Sequence, residues 1–167
     1  MAYLLDADVL IQAKKEHYGF DFCPAFWEWL DLGNRAGRVV SIDKVREEIE
    51  AGGDELVDWA RARSTSMFPP VGPDTLPGLS RVAAWVQGQS YSAAAISTFL
   101  QEADYYVIGQ ALIHGHVVVT RETPAPGSKH RIKIPDVCVG LGIKFMNSHT
   151  MLRVERARFV LEVDAGP

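Results

Sequence analysis

Apolar positions along the chain fall into short runs that read as strands and longer periodic stretches that read as helices. Ala2 to Leu5 is an apolar run that ends on Asp6 and predicts a short buried strand. Val9, Leu10 and Ala13 begin a helical repeat that closes near Tyr18-Gly19. Pro24 opens a second helix to about Ala36, with Phe26, Trp29, Leu30 and Leu32 as its expected buried stripe and Gly37 as its stop. Arg38 to Ile42 is a second strand, and Asp43 suits the N-cap of a helix running to Glu50. Gly52-Gly53 breaks that helix, and Asp54 to Arg63 forms another.

The stretch Phe68 to Gly78 carries Pro69, Pro70, Pro73 and Pro77 and predicts a loop. Helices follow around Leu79–Gln87 and Ser92–Gln101, then a strongly periodic one over Asp104–His114 that Gly115 ends. Val117 to Val119 is a β-prone triplet closing at Thr120. Thr123 to Lys129 is a turn region, Pro135 opens a short helix, and Ile143 to Met146 is a last strand. From Arg153 onward the pattern gives no sharp signal. Strands alternating with helices predict an α/β fold with a central, mainly parallel sheet. No repeat is present, so residues 1–167 read as a single domain, with 68–101 as a helical and loop insertion and 153–167 as a tail.

Composition changes this picture little. The chain is 47% hydrophobic and 23% charged, an ordinary globular balance. A net charge of −4 argues against a protein that coats nucleic acid without specificity, yet it is compatible with a site that gathers carboxylates around cations. Cys23 and Cys138 are far apart, with no C-x-x-C, so neither a structural zinc site nor a disulfide scaffold is indicated. MAYLLDADVLIQ lacks a basic leader region and no apolar run is long enough to span a bilayer, so a cytoplasmic chain without a membrane partner is expected.

The chemistry lies in carboxylates at the ends of elements. In an open parallel sheet, sites form beyond the carboxyl ends of the strands. Asp6 ends the first strand and Glu122 follows the Val117–Val119 strand. Asp6 would serve equally as the N-cap of the next helix. Asp104 shares a helix face with Val107, Ile108 and Ala111, so its charge lies near the core and needs a cap role or a cation to offset it. Glu48 lies beside the Val45/Ile49 stripe and can look into a site, whereas Glu47 points toward solvent. Asp136, after Pro135, competes with Glu122 as a further site carboxylate, although an acid is also common at a helix start. Oxygen donors without a His or Cys cluster select Mg²⁺ or Mn²⁺, ions suited to phosphodiester hydrolysis. Asp8 and Thr120 are expected to support that set. Arg121, Lys129, His130, Arg131 and Lys133 form a basic loop that either holds phosphates of a single strand or is simply solvated. Trp27, Trp29, Trp59 and Trp85 read as packing or partner contacts, and the scattered histidines show no metal spacing.

YLLDADVLI resembles the opening of PIN domains, SIDKVREEI their second acidic motif, ADYYVIGQAL their third, and VVVTRE the strand that ends in Thr and an acidic residue. The order matches over most of the chain, and GFDFCPAFWEWL and KIPDVC are similar to blocks added in one PIN subfamily. The resemblance implies a three-layer α/β/α PIN-like fold and an Mg²⁺/Mn²⁺-dependent endoribonuclease, often the VapC-type toxin of a toxin–antitoxin pair. It carries the ligand role to Asp6, Glu48 and Asp104, with Glu122 or Asp136 as the fourth. It departs at Glu122, where Asp is usual, and at Asp8, where Asn is usual. Expected partners are RNA, a cognate antitoxin and a second copy of the chain. Two rival readings stand beside it. Asp6-Ala7-Asp8, Thr120 and Lys133 also resemble a haloacid-dehalogenase-like phosphatase, which would leave Glu48 and Asp104 unused. The other rival is a catalytically inactive PIN-like interaction module.

Overall fold

The strands are β1 (Tyr3–Leu5), β2 (Val39–Val40), β3 (Val117–Val119) and β4 (Phe145–Met146), seen in a computed structural model that describes residues 1–161. Residues 162–167 of the expected tail lie outside the described ones. The strands form one parallel sheet in the order β2-β1-β3-β4. Leu4 pairs with Val40 on one side and Val118 on the other, and Val119 pairs with Met146. Leu4, Leu5 and every residue of β3 are buried with no in–out alternation, because helices flank the sheet. The chain leaves β1 for β2 on one side and later returns to place β3 on the other. A crevice therefore opens between the carboxyl ends of β1 and β3.

Helix α1 (Ala7–Gln12) starts directly after β1 and runs into a π-helical turn, Ala13–His17. Next come α2 (Pro24–Arg35), α3 (Asp43–Glu50) and α4 (Glu55–Arg61). A 3₁₀ turn, Pro73–Thr75, leads into α5 (Leu76–Gln87), followed by α6 (Ala93–Phe99) and α7 (Ala103–His114). Helix α8 (Ile134–Leu141) connects β3 to β4, and α9 (Ser148–Val154) follows the sheet. Gly115 ends α7 with a left-handed φ of 65°, the conformation that glycine adopts without a Cβ penalty. The buried apolar residues, from Leu4 and Leu10 through Phe26 to Val107 and Met151, form one continuous core.

Three expectations need correction. The buried stripe of α2 is Phe26, Trp27, Leu30 and Gly33, while Leu32 is 56% exposed and Trp29 only half-buried. Steps of four and seven from Phe26 fall on Leu30 and Gly33. Gly33 belongs there because β2 lies against it, and a Cβ at that position would come within 2.7 Å of Val39 Cγ2. The Pro-rich stretch is not all loop: Phe68 is fully buried, and α5 already begins at Leu76 with Pro77 in its first turn, where a missing N–H costs nothing. Finally, Asp43 does not cap α3: it is the first residue of the helix, and Ile42 holds the N-cap position without a side-chain cap bond. Near Arg153, where the pattern carries no sharp signal, the chain forms α9, capped by Asn147, which accepts from Thr150 N–H at 2.8 Å.

Candidate active site at the carboxyl ends of β1 and β3

Asp6 stands where β1 becomes α1. Its backbone N–H donates to the Val119 carbonyl at 3.0 Å, so it completes the ladder between the two central strands. Its side chain then does two things. Oδ1 accepts from Ala7 N–H at 2.7 Å, which caps α1, and Oδ2 accepts from the Thr120 hydroxyl at 3.0 Å across the crevice. The Thr120 Oγ1 in turn accepts from Glu122 N–H at 3.1 Å. One buried hydroxyl thus ties the end of β1 to the turn that carries Glu122. Replacing it by valine removes both bonds at nearly constant volume. Thr120→Val is expected to cost about 1–3 kcal/mol of stability, because the buried Asp6 oxygen loses its donor; chemical denaturation measures the change.

Glu122 is fixed by two further donors. Its Oε2 accepts from Ile134 N–H at 2.8 Å, at the first residue of α8, and its Oε1 accepts from the Arg131 guanidinium at 3.3 Å. A carboxylate is well placed there, since the first N–H groups of a helix have no partner within it. Asp136 behaves differently. Both of its oxygens accept from Ala125 N–H, at 3.0 and 3.2 Å, and it holds the turn at 123–128. Of the two competing carboxylates, Glu122 lines the cavity described next and Asp136 does not.

That cavity, of about 410 Å³, lies above the crevice. Asp6, Asp8, Glu48, Asp104 and Glu122 all line it, and so do Glu47, Glu102, Lys44 and Arg131. Asp104 does not cap α7: the N-cap position is Glu102, whose side chain makes no cap hydrogen bond. Glu48 reaches the cavity from α3 beside Val45 and Ile49, as its helix position requires. Glu47 is exposed, as expected, and from the cavity rim it pairs with Lys44 at 2.9 Å. Seven carboxylates against two cations make the cavity strongly negative. They approach it from separate elements without meeting at a point. Among the described residues, no three His, Cys, Asp or Glu side chains stand close enough as they are to hold one ion. Like charges sharing a partly buried site keep one another apart.

Burial, and after it the same crowding of charge, appears in the proton equilibria. Burial, then the neighbouring Asp8 charge, push the Asp6 carboxyl up to about 7 against the opposing hydrogen bonds from Thr120 and Ala7. Burial, then Asp6, Glu122, Glu102 and Glu48, push Asp104 up to about 8. Glu48 is raised by burial, then by Asp8 and Glu102. Asp8 therefore loads charge onto two of its neighbours, Asp6 and Glu48. Both Asp6 and Asp104 ionise at higher pH in the folded chain than the ordinary 3.8 of the unfolded one. Between those values the folded state holds more protons, so their contribution to stability is full below about pH 4 and is lost as pH rises toward 8. Without divalent cations the melting midpoint is expected to fall over that window, as differential scanning fluorimetry in EDTA would show; a rise with pH would contradict the burial of these charges.

The sequence pointed to Asp6, Asp8, Glu48, Asp104, Thr120, Glu122 and Arg131 in this region, and the structure brings them together. It leaves Asp136, Arg121, Lys129 and Lys133 off the cavity lining, with Lys133 at the N-cap position of α8. Lys133, the candidate lysine of the phosphatase pattern, is thus not among the residues that line the cavity with Asp6. Lys44 and Glu102 were missed. Lys44 is one helical turn before Glu48, and Glu102 stands just ahead of the helix bearing Asp104, so spacing alone held a signal for both.

A family model described as a domain of unknown function, DUF4411, matches residues 3–159. The chain belongs to the DUF4411 family. No protein of curated function matches its sequence. In fold, the DUF4411 chain is similar to the structure of VapBC2 from Rickettsia felis bound to a DNA fragment from their promoter. The identity is 11%, the TM-score 0.56, and the match covers 88% of this chain and 98% of that one. It is also similar to FitAcB from Neisseria gonorrhoeae, at 14% identity and TM-score 0.51, over 87% of this chain and 96% of the other. A third likeness is to FitAB bound to an IR36 DNA fragment, at 15% identity and TM-score 0.50, over 87% and 94%. At such identities the likeness is one of fold. The DUF4411 chain thus has the PIN-like α/β fold expected from its motifs, a parallel sheet flanked by helices. Among the described residues no helix is long and apolar enough to cross a membrane.

Proposed function

We propose that this DUF4411 protein is an Mg²⁺- or Mn²⁺-dependent endoribonuclease and the toxin of a toxin–antitoxin pair. The observation that carries the nuclease reading is the gathering of Asp6, Glu48, Asp104 and Glu122 around one cavity at the β1/β3 crevice. The donor set fits a hard divalent cation: the cavity offers carboxylate oxygens and neither imidazole nor thiolate. Asp6, Glu48, Asp104 and Glu122 would hold the cation, with Asp8 adding charge beside Asp6 and Thr120 orienting it. A cation in that position would lower the pKa of a water and neutralise charge developing at the phosphate. Raised carboxyls at Asp6, Asp104 and Glu48 support this reading, because burial first and neighbouring negative charge second disfavour their ionised forms, and a bound cation would offset both.

The remaining residues do the positioning. Arg131, 73% exposed at the cavity rim, presents a guanidinium suited to a phosphate oxygen, and Lys44 of α3 lines the same cavity. Arg121, Lys129 and Lys133 lie on the same chain segment and would contact phosphates further along a single strand, supplying affinity without base selection. The toxin role rests on the motif resemblance and on the likeness of fold to VapBC2 and FitAB. A small DNA-binding protein encoded beside this one, co-purifying with it and silencing its activity, is the expected antitoxin.

The test is cleavage of single-stranded RNA in Mg²⁺, Mn²⁺ or EDTA. Activity with either cation that EDTA abolishes is the expected result. No cleavage together with no Mn²⁺ uptake in a calorimetric titration would overturn the proposal and leave an inactive PIN-like interaction module. Hydrolysis of p-nitrophenyl phosphate would point instead to the phosphatase.

A further inference from the structure

Next to the acidic cavity, and sharing Glu102 and Arg131 with it, lies a second cavity of about 370 Å³. It is bounded by α6 on one side and by the segment 130–132 on the other. Ala95, Phe99 and Ile132, all buried, supply an apolar floor. Thr98, His130 and Arg131 supply polar walls. The two sides are tied together where α6 begins. Ser92 N–H donates to the Lys129 carbonyl at 2.8 Å, while Ser92 Oγ caps α6 by accepting from Ala95 N–H at 3.2 Å.

Nothing in the cation chemistry of the first cavity requires this second one. Its composition suits an unstacked nucleobase: an apolar floor, the exposed His130 imidazole able to stack, and a carboxylate at one end to read an edge. Its volume is sufficient for one nucleoside. Glu102, at the junction of the two cavities, does not spend its side chain on capping α7. A carboxylate offers two acceptor oxygens and no donor. Guanine alone presents two adjacent N–H donors, N1 and N2, on its Watson–Crick edge. Adenine and cytosine set an acceptor beside their amino group, and uracil flanks its single N–H with two carbonyls, so each would turn an oxygen or a ring nitrogen toward the carboxylate.

Resting on the nuclease reading above, we infer that this cleft is a base-binding subsite that takes one guanine of single-stranded RNA beside the scissile phosphate, with Glu102 as its specificity-determining residue. The base must leave its stack to enter, so duplex RNA is a poor substrate.

Binding and cleavage are tested separately. In EDTA, 5′-GMP is titrated into the full isotope-labelled chain and backbone amides are followed by NMR. The amides of 94–99 are expected to shift with 5′-GMP, and at least about tenfold more weakly with 5′-AMP, 5′-CMP or 5′-UMP. Glu102→Gln is expected to erase that difference, and Thr98→Trp, which fills the cleft from the solvent side of α6, to abolish the shifts while the rest of the spectrum stays folded. In cleavage assays on short oligoribonucleotides, the wild type is expected to cut next to guanine, and Thr98→Trp to lose that preference through KM more than kcat. Equal shifts with all four nucleotides, or none at 94–99, would overturn the subsite even if RNA is cut. Selective 5′-GMP shifts in a chain that cuts no RNA would support the subsite and sink the nuclease reading alone.

Discussion

Asp104→Asn is expected to lower RNA cleavage by about 10²–10³-fold or more, and at the same time to raise the melting midpoint of the cation-free protein at pH 8. The two effects have one cause. The Asp104 carboxyl is forced up to about 8 by burial and by the charges of Asp6, Glu122, Glu102 and Glu48, so its ionised form destabilises the fold that carries it. Asparagine keeps the shape and removes the charge. No cap is lost, because the N-cap position of α7 belongs to Glu102. Losing a negative charge from the first turn costs about 0.3–1 kcal/mol against the helix dipole. Relief of a buried, crowded charge gains about 1–3 kcal/mol, and each kcal/mol moves the midpoint of a chain this long by about 2–4 °C. A net rise is therefore expected, and saturating Mn²⁺ should shrink the gap by stabilising only the wild type. Scanning fluorimetry at pH 8 with and without Mn²⁺ measures both. A clear fall in the midpoint would mean that Asp104 is a structural anchor.

Gly78→Ala is expected to destabilise the protein by about 1–2 kcal/mol net, although alanine is the better helix former by about 1 kcal/mol. Helices α5 and α7 pack most closely where Gly78 meets Gly109. A Cβ on Gly78 would collide with the Gly109 carbonyl and stand 2.6 Å from Ile113 Cγ1. Overpacking of this kind costs about 1–3 kcal/mol, and here the obstacle includes backbone, which has no rotamer to change. Gly109→Ala serves as the control. Its Cβ would press mainly on the end of the Leu79 side chain, at 2.5 Å, which can turn aside at lower cost. The expected order of denaturation midpoints is wild type, then Gly109→Ala, then Gly78→Ala. Since α7 carries Asp104, the Gly78 variant should also lose activity beyond what its stability explains. Equal midpoints for the two variants would show that the helices can separate freely.

Much of the fold was legible because its signals are local. A Val-Val-Val run, a Pro at a helix start and a Gly at a helix end each act within a few residues. The errors arose where a distant partner decided the outcome. Leu32 reads as core by hydropathy, yet the face of α2 that meets β2 needs Gly33, because Val39 occupies the space where a side chain would go. The start of α5 was hidden by Pro77, a breaker in general and harmless in a first turn.

At the site, the donor types could be read locally: which carboxylates close strands and open helices, and the lack of any His or Cys cluster among them. Asp6, Glu48, Asp104 and Glu122 were each visible in that way, because a charged residue at the edge of an apolar run stands out. Their surroundings come from contacts between elements far apart in the chain. The fold made Asp6 a cap and a cavity carboxylate at once, through one hydrogen bond from Ala7 and one from Thr120. It turned Glu122 toward the cavity and Asp136 toward the 123–128 turn, a choice made by which backbone N–H each carboxylate meets. It also joined Glu102 and Arg131 into the wall between two cavities. Periodicity fixes the direction of a side chain relative to its own element; the position of one element against another depends on packing between residues far apart in the chain, which a single sequence does not spell out.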